Sequence, residues 1–326
     1  MGATDFATNH TSVLRQGGLS PYSRILVPLD GSSLAEEALP TAIAFAQRAR
    51  TQGKLILLHV SRTEHIVYSR GGPFATPIGA QQEIAAYLAK LEAEVRTHGV
   101  PVEAVRAEGD AAMGIVTVAH AQHADLILMV THAREGVSRL VHGSVADRVL
   151  QEAPVPVLLL KHGEQPINIF SLEQHPHLLI PLDGSALAES VLLRALALAQ
   201  QLGAAVTLLR SLDVPELTLA ARGYPGSTPD ALQGIISTER QAATYYLEQV
   251  QQRLQARGIQ TIIRVTEGSA VEDIAEEAKA LEGTGHATII VMATHGRGGS
   301  DRWLYGSVAG AVLHLAEVPL LVIRPR

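Results

Sequence analysis

This chain repeats itself once, and that constrains its fold more than any other feature. ILVPLDGSSLAEEAL at 25–39 returns as LLIPLDGSALAESVL at 178–192, so that Pro28 and Pro181 stand 153 residues apart. VTHAREGVSRLVHGSVA at 130–146 returns as ATHGRGGSDRWLYGSVA at 293–309, 163 residues on. The motifs keep their order, and part of the extra length in copy two is the insertion Gly283 to His286. A period this long exceeds that of a solenoid and matches a duplicated domain, for which 326 residues give ample chain.

Within each copy, short apolar runs alternate with longer amphipathic stretches. Copy one reads as strands 24–29, 54–60, 101–107, 125–131 and 155–161, with helices 33–50, 80–98, 111–123 and 144–152 between them. Copy two reads as strands 177–182, 205–211, 260–266, 287–293 and 318–324, with helices 186–202, 230–257, 270–282 and 307–316. Runs such as ILVPL and VPVLLL are apolar on both faces, as parallel strands covered by helices must be. Each copy is therefore expected to be an α/β domain with an open sheet and helical crossovers. Pro40 conflicts with a continuous first helix and should kink it or sit near its first turns. The expected boundaries are a tail at 1–23, domain one at 24–161, a polar, proline-flanked linker at 162–176 and domain two at 177–326.

Composition excludes several classes. A net charge of −6 and 4% aromatic residues leave little for a nucleic-acid groove with stacking platforms. Without cysteine there is no disulfide framework, thiolate zinc site or cysteine nucleophile. The first residues carry no apolar stretch of signal-peptide length, and the longest apolar runs are strand-sized, so a soluble cytoplasmic protein with no membrane partner is the expectation. His120 and His123 stand three apart at a helix end with no third ligand apparent nearby, so no metal site is assigned.

Two motifs carry chemistry. Asp-Gly-Ser follows the first strand of each copy, and it reads either as a helix-capping turn or as a ligand carboxylate. Asp30 and Asp183 lie at carboxyl ends of buried strands, where open α/β sheets bind ligands. The second motif runs Thr294-His295-Gly296-Arg297-Gly298-Gly299 and ends in Gly306-Ser307 at the start of a helix. Its glycines let backbone N–H groups approach an anion, the helix N-terminus adds donors and a favourable dipole, and Arg297 and Arg302 bring positive charge. No P-loop, dinucleotide fingerprint or nucleophile elbow is present.

With both PLDGS strand ends, LLHV at 57–60, the THGR loop and the later Gly-Ser, the chain resembles the universal stress proteins in tandem over about 24–326. The resemblance implies two five-stranded parallel sheets of order 3-2-1-4-5 with helices on both faces. It also implies that the fifth strands, VPVLLLK and VPLLVIR, pair as an intramolecular pseudo-dimer. It further implies ATP as the ligand, with any Mg²⁺ arriving on the phosphates. Pro181 and Asp183 would meet the adenine–ribose end, and main chain around Ser211 the base. Ala293, Thr294, His295, Gly296, Arg297, Gly299, Gly306, Ser307 and Val308 would line ribose and phosphates. The weaker counterparts are Pro28, Asp30, Val60, Val130, Arg134, Gly143 and Ser144.

ATP-binding members share G-x-x-G, nine residues, then G-[ST]. Copy two reads Ala293-x-x-Gly296, nine residues, Gly306-Ser307, and departs only at the first glycine. Copy one reads Val130-x-x-Ala133, nine residues, Gly143-Ser144, with Glu135 where copy two has Gly298. Both leading glycines are gone, and a carboxylate stands where phosphate would sit. The expectation is a stress-linked sensor or regulator that binds ATP mainly through copy two and performs no catalysis beyond slow hydrolysis. The rivals are a nucleotide-free protein-interaction module, a slow ATPase, and an α/β enzyme acting on another phosphorylated or small ligand. An unidentified protein partner and a homodimer of whole chains are compatible with the family.

Overall fold

The computed structural model describes residues 22–49, 52–61, 78–131, 144–162, 176–214, 229–285, 287–294 and 307–324. Copy one runs β1 (Arg24–Leu29), α1 (Ser33–Glu36), α2 (Ala38–Gln47), β2 (Lys54–Ser61), α3 (Ile78–Thr97), β3 (Val102–Glu108), α4 (Ala111–Ala121), β4 (Leu126–Thr131), α5 (Ser144–Glu152) and β5 (Val157–Lys161). Copy two runs β6 (Pro176–Pro181), α6 (Ala186–Glu189), α7 (Leu192–Leu202), β7 (Ala205–Leu212), α8 (Pro229–Gln255), β8 (Thr261–Glu267), α9 (Ala270–Gly283), β9 (Ala287–Ala293), α10 (Ser307–Leu315) and β10 (Leu320–Ile323).

The strands form one ten-stranded sheet in the order β3-β2-β1-β4-β5-β10-β9-β6-β7-β8. Each half has the expected 3-2-1-4-5 order, and β5 and β10 join the halves as an antiparallel pair. Alternate residues of each strand enter opposite cores: Ile25 and Val27 join one apolar cluster, and Leu26 joins the other. Both clusters draw residues from both copies, so the duplication folds as a continuous body. No helix among the described residues is long and apolar enough to cross a membrane.

The single helices expected at 33–50 and 186–202 are each two helices. The first breaks at Glu37 and the second at Ser190–Val191. Pro40 is the third residue of α2, where its missing N–H would have had no helical partner. Copy two breaks at the corresponding place with Leu193 in the proline's position, so proline is not the cause. At the first break Glu37 N bonds Leu34 O in i−3 fashion, and at the second Ser190 N is shared between Ala186 O (i−4) and Leu187 O (i−3), both at 3.1 Å.

Side chains cross-lock the halves. Lys161 Nζ, at the end of β5, donates to Leu313 O near the carboxyl end of α10 at 2.6 Å, and burial lowers its pKa. Arg324, just after β10, donates through Nη1 to Gln151 O near the carboxyl end of α5. Each cation thus meets the negative end of a helix in the other copy. On the opposite face, the buried Gln201 amide of α7 donates to Tyr22 O at 3.1 Å and Phe45 O at 3.2 Å.

Asp125 ties the start of β1 to β4, accepting from Ser23 N at 2.9 Å, Ser23 Oγ at 3.2 Å and Arg24 N at 3.0 Å. Burial nevertheless pushes its carboxyl up to about 6. An acid whose pKa is raised on folding binds its proton more tightly in the folded state. Its contribution is therefore fully present below 3.8 and is lost as pH rises through about 6. The urea midpoint of the wild type relative to Asp125→Asn should fall between pH 4 and pH 7. A difference that stays constant over that range would contradict the assignment.

Candidate functional site

In each half the chain leaves the first strand toward the second and third, then crosses back to place the fourth on its other side. The carboxyl ends of β1 and β4, and of β6 and β9, are therefore switch points with a crevice above them. At β6, Pro181 closes the strand and Leu182 N extends the ladder to Leu209 O at 2.8 Å. Asp183 Oδ1 then accepts from Ser185 N at 2.8 Å, and Ser185 Oγ accepts from Ala188 N at 3.1 Å to cap α6. Gly184, at φ +83°, turns the chain between them.

Copy one builds the same turn from Pro28, Asp30, Gly31 and Ser32. Asp30 Oδ1 accepts from Ser32 N at 2.9 Å and from Ser32 Oγ at 2.5 Å. Partial burial pushes the Asp30 carboxyl up, but the Ser32 hydrogen bonds and the nearby His59 outweigh it and hold the group below the ordinary carboxylate range. The capping and ligand readings are thus compatible, because Oδ1 holds the turn while both aspartates remain exposed.

At the fourth strands, Ala293 ends β9 and Val130 lies in the last turn of the β4 ladder. Thr294 N bonds Ile323 O at 3.0 Å. Ser307 and Val308 open α10, and Ser144 opens α5. His295, Gly296, Arg297, Gly299 and Gly306, with Arg134 and Gly143 of copy one, lie outside the described residues.

The two helices differ in a way that the motif comparison missed. The first turn of α5 carries Asp147, whereas that of α10 has no acidic residue and Gly310 stands in the corresponding place. An acid there occupies the positive end of the helix and repels phosphate. Copy one also joins α5 to the cap of α4 through Arg148 Nη1 and Asp110 Oδ2 at 2.6 Å. The corresponding residues of copy two, Ser269 and Ala311, cannot form that ion pair. The start of α10 therefore fits an anion better than the start of α5.

The ends of the second strands differ as well. In copy one, Val60 packs so tightly on α4 that a Cβ at Gly114 would lie 2.9 Å from its methyl groups, and Val60 is beside Ala107 of β3. The matching positions in copy two are Ser211, Asp273 and Thr266. Asp273 Oδ2 accepts hydrogen bonds from Ser211 Oγ and from Thr266 Oγ1, the latter at 2.7 Å. Gly268 makes room for this carboxylate, since a Cβ there would come within 2.8 Å of Oδ1.

Arg210 replaces His59, whose Nδ1 lies 2.9 Å from Leu29 O. Its guanidinium stacks 5.6 Å from the Tyr246 ring centroid, with Nη1 only 2.7 Å from where a Gly184 Cβ would be. The His59/Arg210 and Val60/Ser211 exchanges become visible in sequence once the second strands are aligned at their own 151-residue offset. A cavity of about 630 Å³ borders Ser61, Ile84, Val105 and Arg106 along the outer edge of β3, away from both switch points.

Two halves of doubly wound topology share one sheet, and in each an Asp-Gly-Ser turn follows the first strand while a serine opens the helix after the fourth. The chain belongs to the universal stress protein family, whose sequence model matches residues 21–161 and again 175–324. A universal stress protein of Mycolicibacterium smegmatis is 24% identical over 93% of this chain and 97% of its own length. One from Methanocaldococcus jannaschii is 31% identical over 46% of the chain and 88% of its own length. The crystal structure of a universal stress protein from Archaeoglobus fulgidus superposes with a TM-score of 0.67 over 93% of this chain and 98% of that one, at 17% identity.

Proposed function

We propose that the protein is an adenine-nucleotide-binding regulator of the stress response, cytoplasmic, which takes ATP in the crevice of copy two. The observation that carries this reading is the contrast between the two helix starts. α10 opens with Ser307 and no acid in its first turn, whereas α5 opens with Asp147. Phosphate at α10 gains the helix dipole and free backbone donors, and the glycine-rich 296–299 stretch and Arg297 precede it in sequence.

Asp183, on the neighbouring strand, offers a carboxylate to ribose hydroxyls, and main chain near Ser211 borders the base. Domain two, 177–326, is then the nucleotide half. Domain one, 24–161, keeps the fold and supplies Lys161 to the far end of α10, with 162–176 as linker and 1–23 as a tail. Mg²⁺ would come with the phosphates, because it keeps most of its ligands from phosphate oxygens and water.

Binding that signals to a protein partner accounts for the residues better than turnover does. The sequence has no P-loop lysine, and among the described residues assigned to the crevice no base stands paired with a nucleophile. Mass spectrometry of the denatured, purified protein tests the reading. ATP or its diphosphate is expected to have co-purified, and the apoprotein is expected to bind added ATP. A preparation that carries no nucleotide and binds none on titration would favour the interaction module instead.

A further inference from the structure

We infer that Asp273 makes the base end of copy two a reader of an amino group, which sets a preference for adenine over hypoxanthine and guanine nucleotides. This rests on the nucleotide reading above and adds the residue that discriminates the base. Phosphate is drawn to the start of α10, beyond β9. β6 neighbours β9, and β7 neighbours β6. At the usual spacing of adjacent strands the end of β7 lies about 10 Å from that of β9, within the reach of a nucleoside. A ligand anchored at α10 and passing Asp183 therefore presents its base where β7 and β8 end, beside Ser211, Thr266 and Asp273.

The chemistry of this cluster is one-sided. The hydroxyl protons of Ser211 and Thr266 are directed to Asp273 Oδ2, and Ser211 Oγ also lies 3.1 Å from Gly268 O. What remains for a ligand is acceptor capacity, chiefly Asp273 Oδ1, which takes no hydrogen bond from the described residues. An acceptor reads N–H groups and repels a keto oxygen. Facing position 6 of the purine, Oδ1 receives one N–H of the adenine amine but meets the keto oxygen of hypoxanthine or guanine, and with Oδ2 occupied the carboxylate cannot turn both oxygens to the N1–H and N2–H of guanine. Copy one carries Val60, Ala107 and Gly114 at the three positions, none of which has a side-chain acceptor to offer the base.

The test is titration of the full-length protein with ATP, ITP and GTP. The wild type should bind ATP at least about 10-fold more tightly than ITP or GTP, the size of one hydrogen bond to a charged group. In Asp273→Asn the amide oxygen takes over the hydroxyl donors and the NH₂ turns to the ligand, so the ATP:ITP affinity ratio should fall to about 1 or below. If that variant loses its native circular dichroism, Ser211→Val/Thr266→Ala/Asp273→Gly, which installs the set with which copy one folds, is read instead, and its ratio should drop below about 2-fold. An unchanged ratio in a folded variant, or a wild type that binds ATP and ITP equally, overturns the inference and leaves the nucleotide reading standing. A wild type that binds none of the three overturns both.

Discussion

Leu158→Ala and Leu321→Ala should each cost about 2–5 kcal/mol, and together less than the sum of the two. Leu158 and Leu321 face each other across the β5–β10 pair, are 0% and 1% exposed, and lie in the same apolar cluster. Truncating either leaves a void bounded by residues of both copies, and the second truncation enlarges one cavity rather than opening another. A coupling of about 0.5–3 kcal/mol is expected from a double-mutant cycle. Urea unfolding followed by circular dichroism should also remain a single transition, because both clusters are shared. Strict additivity, or a half that unfolds on its own, would show that the pseudo-dimer is two domains in loose contact.

Asp183→Ala should weaken ATP binding at least about 10-fold, equivalent to about 1.4 kcal/mol, whereas Asp30→Ala should change it less than about 2-fold. The comparison is controlled by the structure itself. Both carboxylates accept from the serine two residues on, and both serines cap the following helix, so either substitution loosens the same kind of turn. Only Asp183 shares its crevice with a helix start free of acid. Calorimetric titration of both variants separates the loss of a turn from the loss of a ligand contact. Equal weakening by the two substitutions would place nucleotide in both halves.

What could be read from sequence followed from side chains that face apolar surroundings on every side. Runs such as LILMV mark β4 because both faces of that strand are buried, and the repeat then assigns β9 by analogy. Pro40 was legible as a conflict, but the break in copy two, which has no proline, was not. Both breaks are local backbone features that leave no mark in composition.

The site was legible where a motif is contiguous, as in Asp183 to Ser185. Asp147 escaped notice because the glycine pattern ends at Ser144, three residues earlier. The Ser211, Thr266 and Asp273 cluster escaped for a different reason. Its members come from two strands and a helix, and Ser211 matches copy one at an offset of 151 residues whereas Thr266 and Asp273 match at 159, so only the folded sheet brings them together. The same holds for Lys161 and Leu313, 152 residues apart, whose contact exists because β5 and β10 pair.

The central claim is that duplication left one working nucleotide crevice and one that kept the fold. Isothermal titration calorimetry of the nucleotide-stripped, full-length protein with ATP tests it most directly. One ATP per chain, bound at least about 10-fold more weakly in Asp183→Ala and within about 2-fold of wild type in Asp30→Ala, is the predicted result. Two equivalent sites per chain, or none, would contradict it.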